Sequence, residues 1–206
     1  MSTLLQLNTS LFSTSGQSSR LAEQFVARWR AGHPEGRVIV RDLARDPVPH
    51  LTAERFQAFL AKPGERTPAQ QAIVDESDAL IDELKRADVI VFGLPMYNFG
   101  EPSTLKAYLD HIARAGVTFR YTENGPVGLL TGKKAYVFAT RGGRYSGTPA
   151  DTQSGFVRQF LEFVGIDDVE FVYAEGLAIR PAAKEAGLAQ AARAIQRLNE
   201  PERAAA

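Results

Sequence analysis

The chain has 206 residues, of which 44% are hydrophobic and 23% are charged, a balance typical of one soluble globular domain. Lysine and arginine together number 24, as do aspartate and glutamate, so no net charge draws the chain toward nucleic acid or an anionic membrane. The absence of cysteine excludes disulfides, thiolate catalysis and cysteine-ligated metals. We therefore expect a single domain over residues 1–200, followed by a flexible tail at 201–206.

Strand-like and helix-like segments alternate along the chain. Alternation of this kind predicts one parallel sheet with helices on both faces. Five strands fit the flavodoxin-like order 2-1-3-4-5 better than the six-stranded dinucleotide fold, so we predict a flavodoxin-like α/β domain. In chain order the predicted elements are a strand at 4–8, a helix at 18–30, a strand at 37–43, a partly helical stretch at 53–60, a helix at 68–86, a strand at 89–94, a helix at 102–114, a strand at 135–140, a helix at 154–164, a strand at 169–174 and a helix at 182–198.

Neither the start of the chain nor its apolar runs indicate export or membrane insertion. The N-terminus lacks the basic and apolar regions of a signal peptide. The longest apolar run, at residues 89–95, is far shorter than the about 20 residues that a membrane-spanning helix needs. We expect a cytoplasmic protein that binds neither membrane nor nucleic acid.

The loop after the first predicted strand, residues 8–19, is rich in hydroxyl side chains and enters an amphipathic helix. Unpaired N–H groups at a helix start, surrounded by serine hydroxyls, favour a phosphate, although an ordinary capped turn has the same composition. The loop contains neither Gly-x-x-x-x-Gly-Lys nor Gly-x-Gly-x-x-Gly. Their absence argues against nucleoside triphosphate chemistry and against a dinucleotide on this helix.

Two further loops carry residues suited to a flat ligand. Residues 95–102 read Pro-Met-Tyr-Asn-Phe-Gly-Glu-Pro, and their apolar faces and amide suit a ring, although an aromatic pair can equally pack in a core. Residues 140–145 read Thr-Arg-Gly-Gly-Arg-Tyr, where paired glycines allow close backbone approach; a flexible turn is the alternative. Ligands of open parallel sheets bind at the carboxyl ends of the strands, so we expect all three loops to meet at one site.

Other candidate sites have weaker support. His33, His50 and His111 lack the spacing of metal ligands, so we predict no metal site. The stretch at 116–132 is long for a plain connection, and its aromatic content argues against disorder.

The three loops and a long run between them resemble the FMN-dependent NADH azoreductase family of bacteria, also described as FMN-dependent NADH:quinone oxidoreductases. The resemblance rests on Pro-Met-Tyr-Asn-Phe at 95–99, Ala-Arg-Ala-Gly-Val-Thr-Phe-Arg-Tyr-Thr-Glu-Asn-Gly-Pro at 113–126 and Arg-Gly-Gly at 141–143. It covers nearly the whole chain and is least clear at 44–67.

The resemblance implies one tightly but non-covalently bound FMN. The first loop would hold its phosphate, the second would line the ribityl chain and ring, and the third would contact the far edge of the ring. The implied cofactor-binding residues are Ser10, Gly16, Gln17, Ser18, Met96, Tyr97, Asn98, Phe99, Thr140, Arg141, Gly142 and Gly143, and the implied substrate-pocket residues are Phe99, Tyr121 and Phe163.

The resemblance also implies a homodimer with each flavin near the interface, and a ping-pong reaction. NADH or NADPH would pass a hydride to flavin N5 and leave, and a quinone or aromatic azo compound would then take two electrons. Because the flavin carries the hydride, no catalytic side chain is required.

The same fold also serves two other functions. A non-catalytic flavodoxin-like electron carrier is the main alternative, but zero net charge and the aromatic stretch argue against it. A receiver-type signalling module needs acidic residues where Asn8, Pro95 and Met96 stand.

Overall fold

A computed structural model describes residues 2–198 of the chain, so the tail predicted at 201–206 lies outside the described residues. Seven strands, six α-helices and one turn of 3-10 helix alternate in this part of the chain. In order they are β1 (Thr3–Asn8), the 3-10 turn (Ser13–Ser15), α1 (Gln17–Gly32), β2 (Arg37–Asp42), α2 (Ala53–Leu60), α3 (Pro68–Arg86), β3 (Val89–Pro95), α4 (Ser103–Ile112), β4 (Phe119–Thr122), β5 (Gly125–Gly128), β6 (Lys134–Thr140), α5 (Thr152–Val164), β7 (Asp168–Ala174) and α6 (Pro181–Leu198).

Five of the strands form one parallel sheet in the order β2-β1-β3-β6-β7. Numbered among themselves, they have the order 2-1-3-4-5, so the predicted flavodoxin-like sheet is confirmed. Strand order reverses between β1 and β3, where Asn8 pairs with Gly93, and the carboxyl end of β3 pairs with that of β6 through Pro95 and Thr140. The loops after β1, β3 and β6 therefore begin at neighbouring positions on one edge of the sheet.

The helices cover both faces because each has one apolar stripe. On one face α1 and α6 bury residues such as Phe25, Val26 and Ile195 against the sheet. On the other face α3, α4 and α5 bury residues such as Leu80 and Leu109. Capping sets the ends of these helices: Thr67 and Gln70 form a capping box at the start of α3, for example. The helix predicted at residues 53–60 is confirmed as α2.

The stretch at 116–132 forms a β-hairpin that the sequence pattern did not predict. Its strands, β4 and β5, pair antiparallel outside the main sheet. The hairpin is anchored at the far end of α5, where the Leu130 N–H donates to the Val164 carbonyl at 2.8 Å. Gly128 lies so close to the Gly165 backbone that a Cβ on Gly128 would be 2.0 Å from the Gly165 nitrogen. Only a residue without a side chain fits this contact.

Candidate functional site

The loop after β1 folds tightly in front of α1. The Ser10 carbonyl accepts from the Ser13 N–H, and the Ser10 hydroxyl accepts from the Phe12 N–H at 3.2 Å. Ser13 has a φ of 51°, an uncommon value for a residue with a side chain. Gly16 packs against Ser10 so closely that a Cβ on Gly16 would lie 2.2 Å from the Ser10 Oγ. The Gly16 N–H donates to the Ser13 carbonyl at 3.3 Å, so it is already engaged within the loop.

The start of α1 has the features of an anion site. Gly16 is the N-cap residue, and no side chain caps the helix within the part of the chain that the structure describes. The first N–H groups of a helix have no intrahelical partners, and they carry partial positive charge. Ser18, in the first turn, is fully buried, and its hydroxyl has no hydrogen-bond partner among residues 2–198. A buried hydroxyl of this kind favours a ligand that supplies the partner.

The loop after β3 contains a strained two-residue turn. Tyr97 and Gly100 exchange both backbone hydrogen bonds, at 3.0 and 3.1 Å. Between them, Asn98 has a φ of 50° and Phe99 a φ of 68°, which is the pattern of a type I′ turn. Asn adopts positive φ readily, but a bulky Phe does not. Phe99 is 54% exposed, so burial in the core does not explain its presence. Strain of this kind concentrates at functional sites.

Replacing Phe99 by glycine is expected to stabilise the apoprotein by about 1 kcal/mol, because glycine adopts positive φ without strain. Phe99→Leu is the matched control, because it shortens the apolar side chain but keeps the strained backbone. Urea denaturation of the apoproteins measures both effects. Equal stabilities for the Gly and Leu variants would show that the turn stores no strain.

The loop after β6 exposes a row of backbone N–H groups. The carbonyls of Arg141, Gly142 and Gly143 accept hydrogen bonds from the N–H groups of residues 177, 178 and 176, at 2.8 to 3.1 Å. In a trans peptide the N–H points opposite to the carbonyl of the same unit. The N–H groups of Gly142, Gly143 and Arg144 therefore point away from the 176–178 segment. Such a row of N–H groups favours an electron-rich ligand edge.

The second and third loops enclose a cavity of about 250 Å³. The Met96 N–H donates to the Thr140 carbonyl at 2.9 Å, which joins the two loops. The first loop is joined to the second, because the Leu11 N–H donates to the Tyr97 hydroxyl at 3.3 Å. The structure thus brings the three predicted loops together at one sheet edge. The cavity is lined by Met96, Asn98, Phe99, Gly142 and Tyr145.

Among the predicted cofactor-binding residues, Arg141 has a side chain that points away from the cavity. Its side chain is fully buried, with its guanidinium bonded to Asp151, Ser154 and Glu175. Its backbone N–H donates to the Ala174 carbonyl, and its carbonyl accepts from the Leu177 N–H. The Arg141 side chain therefore lies beneath the loop, and the contact between Arg141 and the ring edge that the resemblance implies stays a prediction.

The start of α5 supports the second loop. The sequence pattern did not predict this support. The Gln153 side-chain amide donates to the carbonyls of Pro95 and Gly100, both at 3.0 Å, and the Thr152 hydroxyl donates to the Phe99 carbonyl. Gln153 is fully buried. No local signal in the sequence identifies these two residues, because their partners precede them by more than 50 positions.

Within one chain, Tyr121 and Phe163 lie far from Phe99. Phe163 is eleven residues along α5 from Thr152, a distance of about 16 Å. Its ring packs on Phe119, with centroids 4.4 Å apart, and Phe119 in turn contacts Tyr121. Tyr121 is 75% exposed on the hairpin. The predicted substrate pocket is therefore divided between the two ends of α5.

All three histidines lie within the part of the chain that the structure describes. Within residues 2–198, no group of three His, Asp or Glu side chains is arranged to hold a metal ion. His111 is buried in α4, where its Nδ1 bonds to the Ala107 carbonyl, and burial lowers its pKa. In the same part of the chain, no helix has the length and apolar character needed to cross a membrane.

Comparison with known proteins decides the family. Residues 2–198 match a protein family described by its flavodoxin-like fold. The chain is 58% identical over 177 residues to an FMN-dependent NADH:quinone oxidoreductase of Cellvibrio japonicus, covering 86% of this chain and 89% of that protein. The chain belongs to the FMN-dependent NADH:quinone oxidoreductase family. The resemblance inferred from the sequence motifs is confirmed.

Other known proteins match the chain over nearly their whole length. FMN-dependent NADH:quinone oxidoreductase 6 of Burkholderia lata is 53% identical over 195 residues, 95% of this chain and 98% of that protein. An azoreductase structure from Bacillus anthracis superposes with a TM-score of 0.85 at 31% identity, covering 96% of this chain and all of that one. An FMN-dependent NADH-azoreductase from the same species, solved in complex with FMN, has a TM-score of 0.85 at 27% identity, covering 97% and 100%.

The residues of this family member fit FMN on two independent observations. The uncapped start of α1, with the unpartnered Ser18 hydroxyl, suits a phosphate. The cavity between the second and third loops combines an exposed aromatic face at Phe99 with the backbone of Gly142, whose N–H group begins the row at residues 142–144. An apolar face beside a few fixed donors is the composition expected for a flat heterocycle.

Proposed function

We propose that the protein is an FMN-dependent NADH:quinone oxidoreductase that also reduces aromatic azo compounds. The observation that carries the proposal is the pairing of a phosphate-type site at the start of α1 with a cavity for a flat ring at the same sheet edge, where the first and second loops are joined by the Leu11–Tyr97 hydrogen bond. The relatives named as FMN-dependent oxidoreductases support it over nearly the full chain. A non-catalytic electron carrier has no such support. We propose that residues 1–200 form one domain, of which 2–198 match the family.

The first loop and the start of α1 hold the phosphate in this proposal. Ser10, Gln17 and Ser18 supply hydroxyl and backbone donors, and Gly16 lets the loop close on Ser10. When bound, FMN supplies the two-electron hydride chemistry between a nicotinamide and an acceptor. Metal chemistry and a catalytic acid are not required.

The second and third loops orient the ring. Met96, Tyr97 and Asn98 line the ribityl chain of FMN and the near edge of its ring. Phe99 forms an apolar wall that excludes water. The backbone N–H groups of Gly142 and Gly143 face the far edge, where they stabilise negative charge on the reduced ring. Thr140 holds the second loop through its carbonyl.

We propose that the active form is a homodimer with the flavin site near the interface. Tyr121 is 75% exposed and stands on a hairpin remote from Phe99 of its own chain, so a second copy can present it to the cavity. Phe163 packs behind the hairpin through Phe119 and acts as its support. Exposed apolar side chains such as Phe56 and Leu60 on α2 support a buried interface.

The co-substrate in this proposal is NADH, and the location is the cytoplasm, where a nicotinamide supply is available. NADPH is the alternative donor, and quinones and azo compounds are the acceptors.

The decisive experiment is an absorption spectrum of the purified protein with and without NADH in the absence of oxygen. Flavin bands that NADH bleaches, followed by recovery of the bands on addition of a quinone, are the expected result. Steady-state assays then compare NADH with NADPH, and a quinone with an azo dye. Protein that stays colourless after incubation with FMN would contradict the proposal, and bound flavin without quinone-dependent NADH oxidation would favour an electron carrier.

A further inference from the structure

A buried cation lies between two carboxylates directly beneath the loop after β6. The Arg141 side chain is fully buried, with its Nη2 2.8 Å from Asp151 Oδ1 and its Nη1 3.2 Å from Glu175 Oε1. The guanidinium also lies over the Tyr173 ring, 4.8 Å from its centroid. A planar, permanently charged guanidinium suits such a stacked site with two acceptors, whereas an ammonium does not.

Glu175 connects this cation to the far end of the same loop. Its Oε1 accepts from the N–H groups of Tyr145 and Ser146, both at 2.8 Å, in addition to Arg141. The two ends of the loop are therefore tied to one carboxylate. Gly142 and Gly143 lie between these ties, and their carbonyls bond to the 176–178 segment that follows Glu175. The direction of their N–H groups thus depends on the position of Glu175.

Asp151 connects the same cation to the start of α5. It caps the helix by accepting from the Ser154 N–H at 3.0 Å. Burial would raise the pKa of Asp151, but hydrogen bonds from Arg141 and Ser154 outweigh it, so the pKa lies below its ordinary value. Asp151 is therefore charged under ordinary conditions, and its charge is balanced by Arg141.

The charge arrangement has a consequence for a redox ligand. Glu175 and Asp151 place two negative charges behind the row of N–H groups, and the buried Arg141 is the cation that bonds to both. In a poorly solvated region, uncompensated carboxylates act strongly on nearby charge. They would oppose the negative charge that a flavin ring acquires on reduction, more than they would affect the neutral oxidised ring.

We infer that Arg141 is a positioning residue, which aims the N–H groups of Gly142 and Gly143 through Glu175 and offsets the carboxylate charge behind them. Through both effects it favours the reduced over the oxidised form of the bound ring. This inference rests on the proposed binding of FMN in the cavity between the second and third loops.

The test compares Arg141→Met with Glu175→Gln. Arg141→Met removes the cation that bonds to both carboxylates, so reduced FMN is expected to bind about tenfold more weakly relative to oxidised FMN. For a two-electron couple, tenfold corresponds to a reduction potential lower by about 30 mV. Glu175→Gln keeps an oxygen acceptor for the Tyr145 and Ser146 amides but removes one negative charge, so the potential is expected to rise. The potential is measured against reference dyes, and the dissociation constant of oxidised FMN by quenching of flavin fluorescence.

Arg158→Met is the control for loss of an arginine between α5 and β7. Arg158 lies over Phe171, 5.2 Å from the ring centroid, and bonds to the Val169 carbonyl, outside the three loops. The Arg158→Met variant is expected to leave the reduction potential of bound FMN unchanged. If the role of Arg141 were purely structural, Arg141→Met would weaken the binding of oxidised and reduced FMN equally. In that case Glu175→Gln would not raise the reduction potential.

Arg141→Lys provides a second measurement if Arg141→Met does not fold. Lysine keeps the charge but cannot bond to Asp151 and Glu175 in the same planar geometry, so a smaller fall in potential is expected. Shifts of the same sign for the Arg141 and Glu175 variants, or no shift in either, would overturn the inference. If the unsubstituted protein bound no FMN, the proposed function itself would fail instead.

Discussion

Replacing Ser18 by alanine is expected to weaken FMN binding by about 10- to 100-fold while making the apoprotein more stable. A hydrogen bond to a charged group contributes about 1.5–3 kcal/mol, and each 1.4 kcal/mol is a factor of ten in affinity. In the apoprotein the Ser18 hydroxyl is fully buried without a partner, so removing it relieves a desolvation cost of about 1 kcal/mol. The two effects have opposite signs because the hydroxyl has a partner only when phosphate is bound.

Ser19→Ala is the matched control for this prediction. Ser19 lies beside Ser18 and is also buried with an unpartnered hydroxyl, but its side chain lines a separate groove with Gln6, Asn8 and Val40 beside the edge strand β2, so we assign it no contact with the phosphate. Its removal is expected to stabilise the apoprotein without changing FMN affinity. Urea denaturation of the apoproteins and titration of flavin fluorescence measure the two quantities. Equal FMN affinities for the Ser18 and Ser19 variants would show that the phosphate lies elsewhere.

Gly128→Ala is expected to lower the free energy of unfolding by about 2 kcal/mol, and the melting temperature by roughly 4–8 °C. The new Cβ would lie 2.0 Å from the Gly165 nitrogen and 2.3 Å from the Val164 carbonyl carbon, which are backbone atoms that cannot rotate away. Gly165 is itself held in the left-handed conformation that ends α5, with a φ of 100°. Relief of the overlap requires the hairpin to separate from the helix.

Gly155→Ala is the control for replacing a glycine at α5. A Cβ at Gly155 meets no atom within 4 Å among the described residues. Alanine there is expected to stabilise the protein by about 0.5 kcal/mol, since glycine in a helix loses more backbone entropy. Thermal unfolding of both variants as apoproteins removes any contribution of ligand binding from the comparison. A Gly128 variant as stable as the Gly155 variant would contradict the tight contact.

Most of the fold could be predicted from the sequence because its elements are long and strongly patterned. The near-continuous apolar run at 89–94 and the amphipathic stretch at 68–86 each favour one structure. The hairpin at β4 and β5 could not be predicted in this way. Its strands have four residues each, and β5 reads Gly-Pro-Val-Gly, a composition that is depleted in strands. Its position depends on the contact with the end of α5.

The loops of the candidate site could be predicted because a general rule places them at the strand ends. The direction of the Arg141 side chain could not, since its acceptors come 10 and 34 residues later in the chain. Glu175 follows β7 directly, so the same rule extended to the last strand would have identified it. Asp151 precedes Ser154 by three residues, the spacing of a helix cap.

The first turn of α5 has a consequence for engineering and for divergence among relatives. Thr152 and Gln153 hold the backbone of the second loop, while Asp151 and Ser154 hold Arg141 under the third. Four consecutive residues, 151–154, thus support both the second and the third loop, which form the two walls of the cavity. A graft that transfers either loop from another protein must carry this helix turn with it. A rotation of α5 would alter the width of the cavity from both sides at once, without any change in the residues that line it.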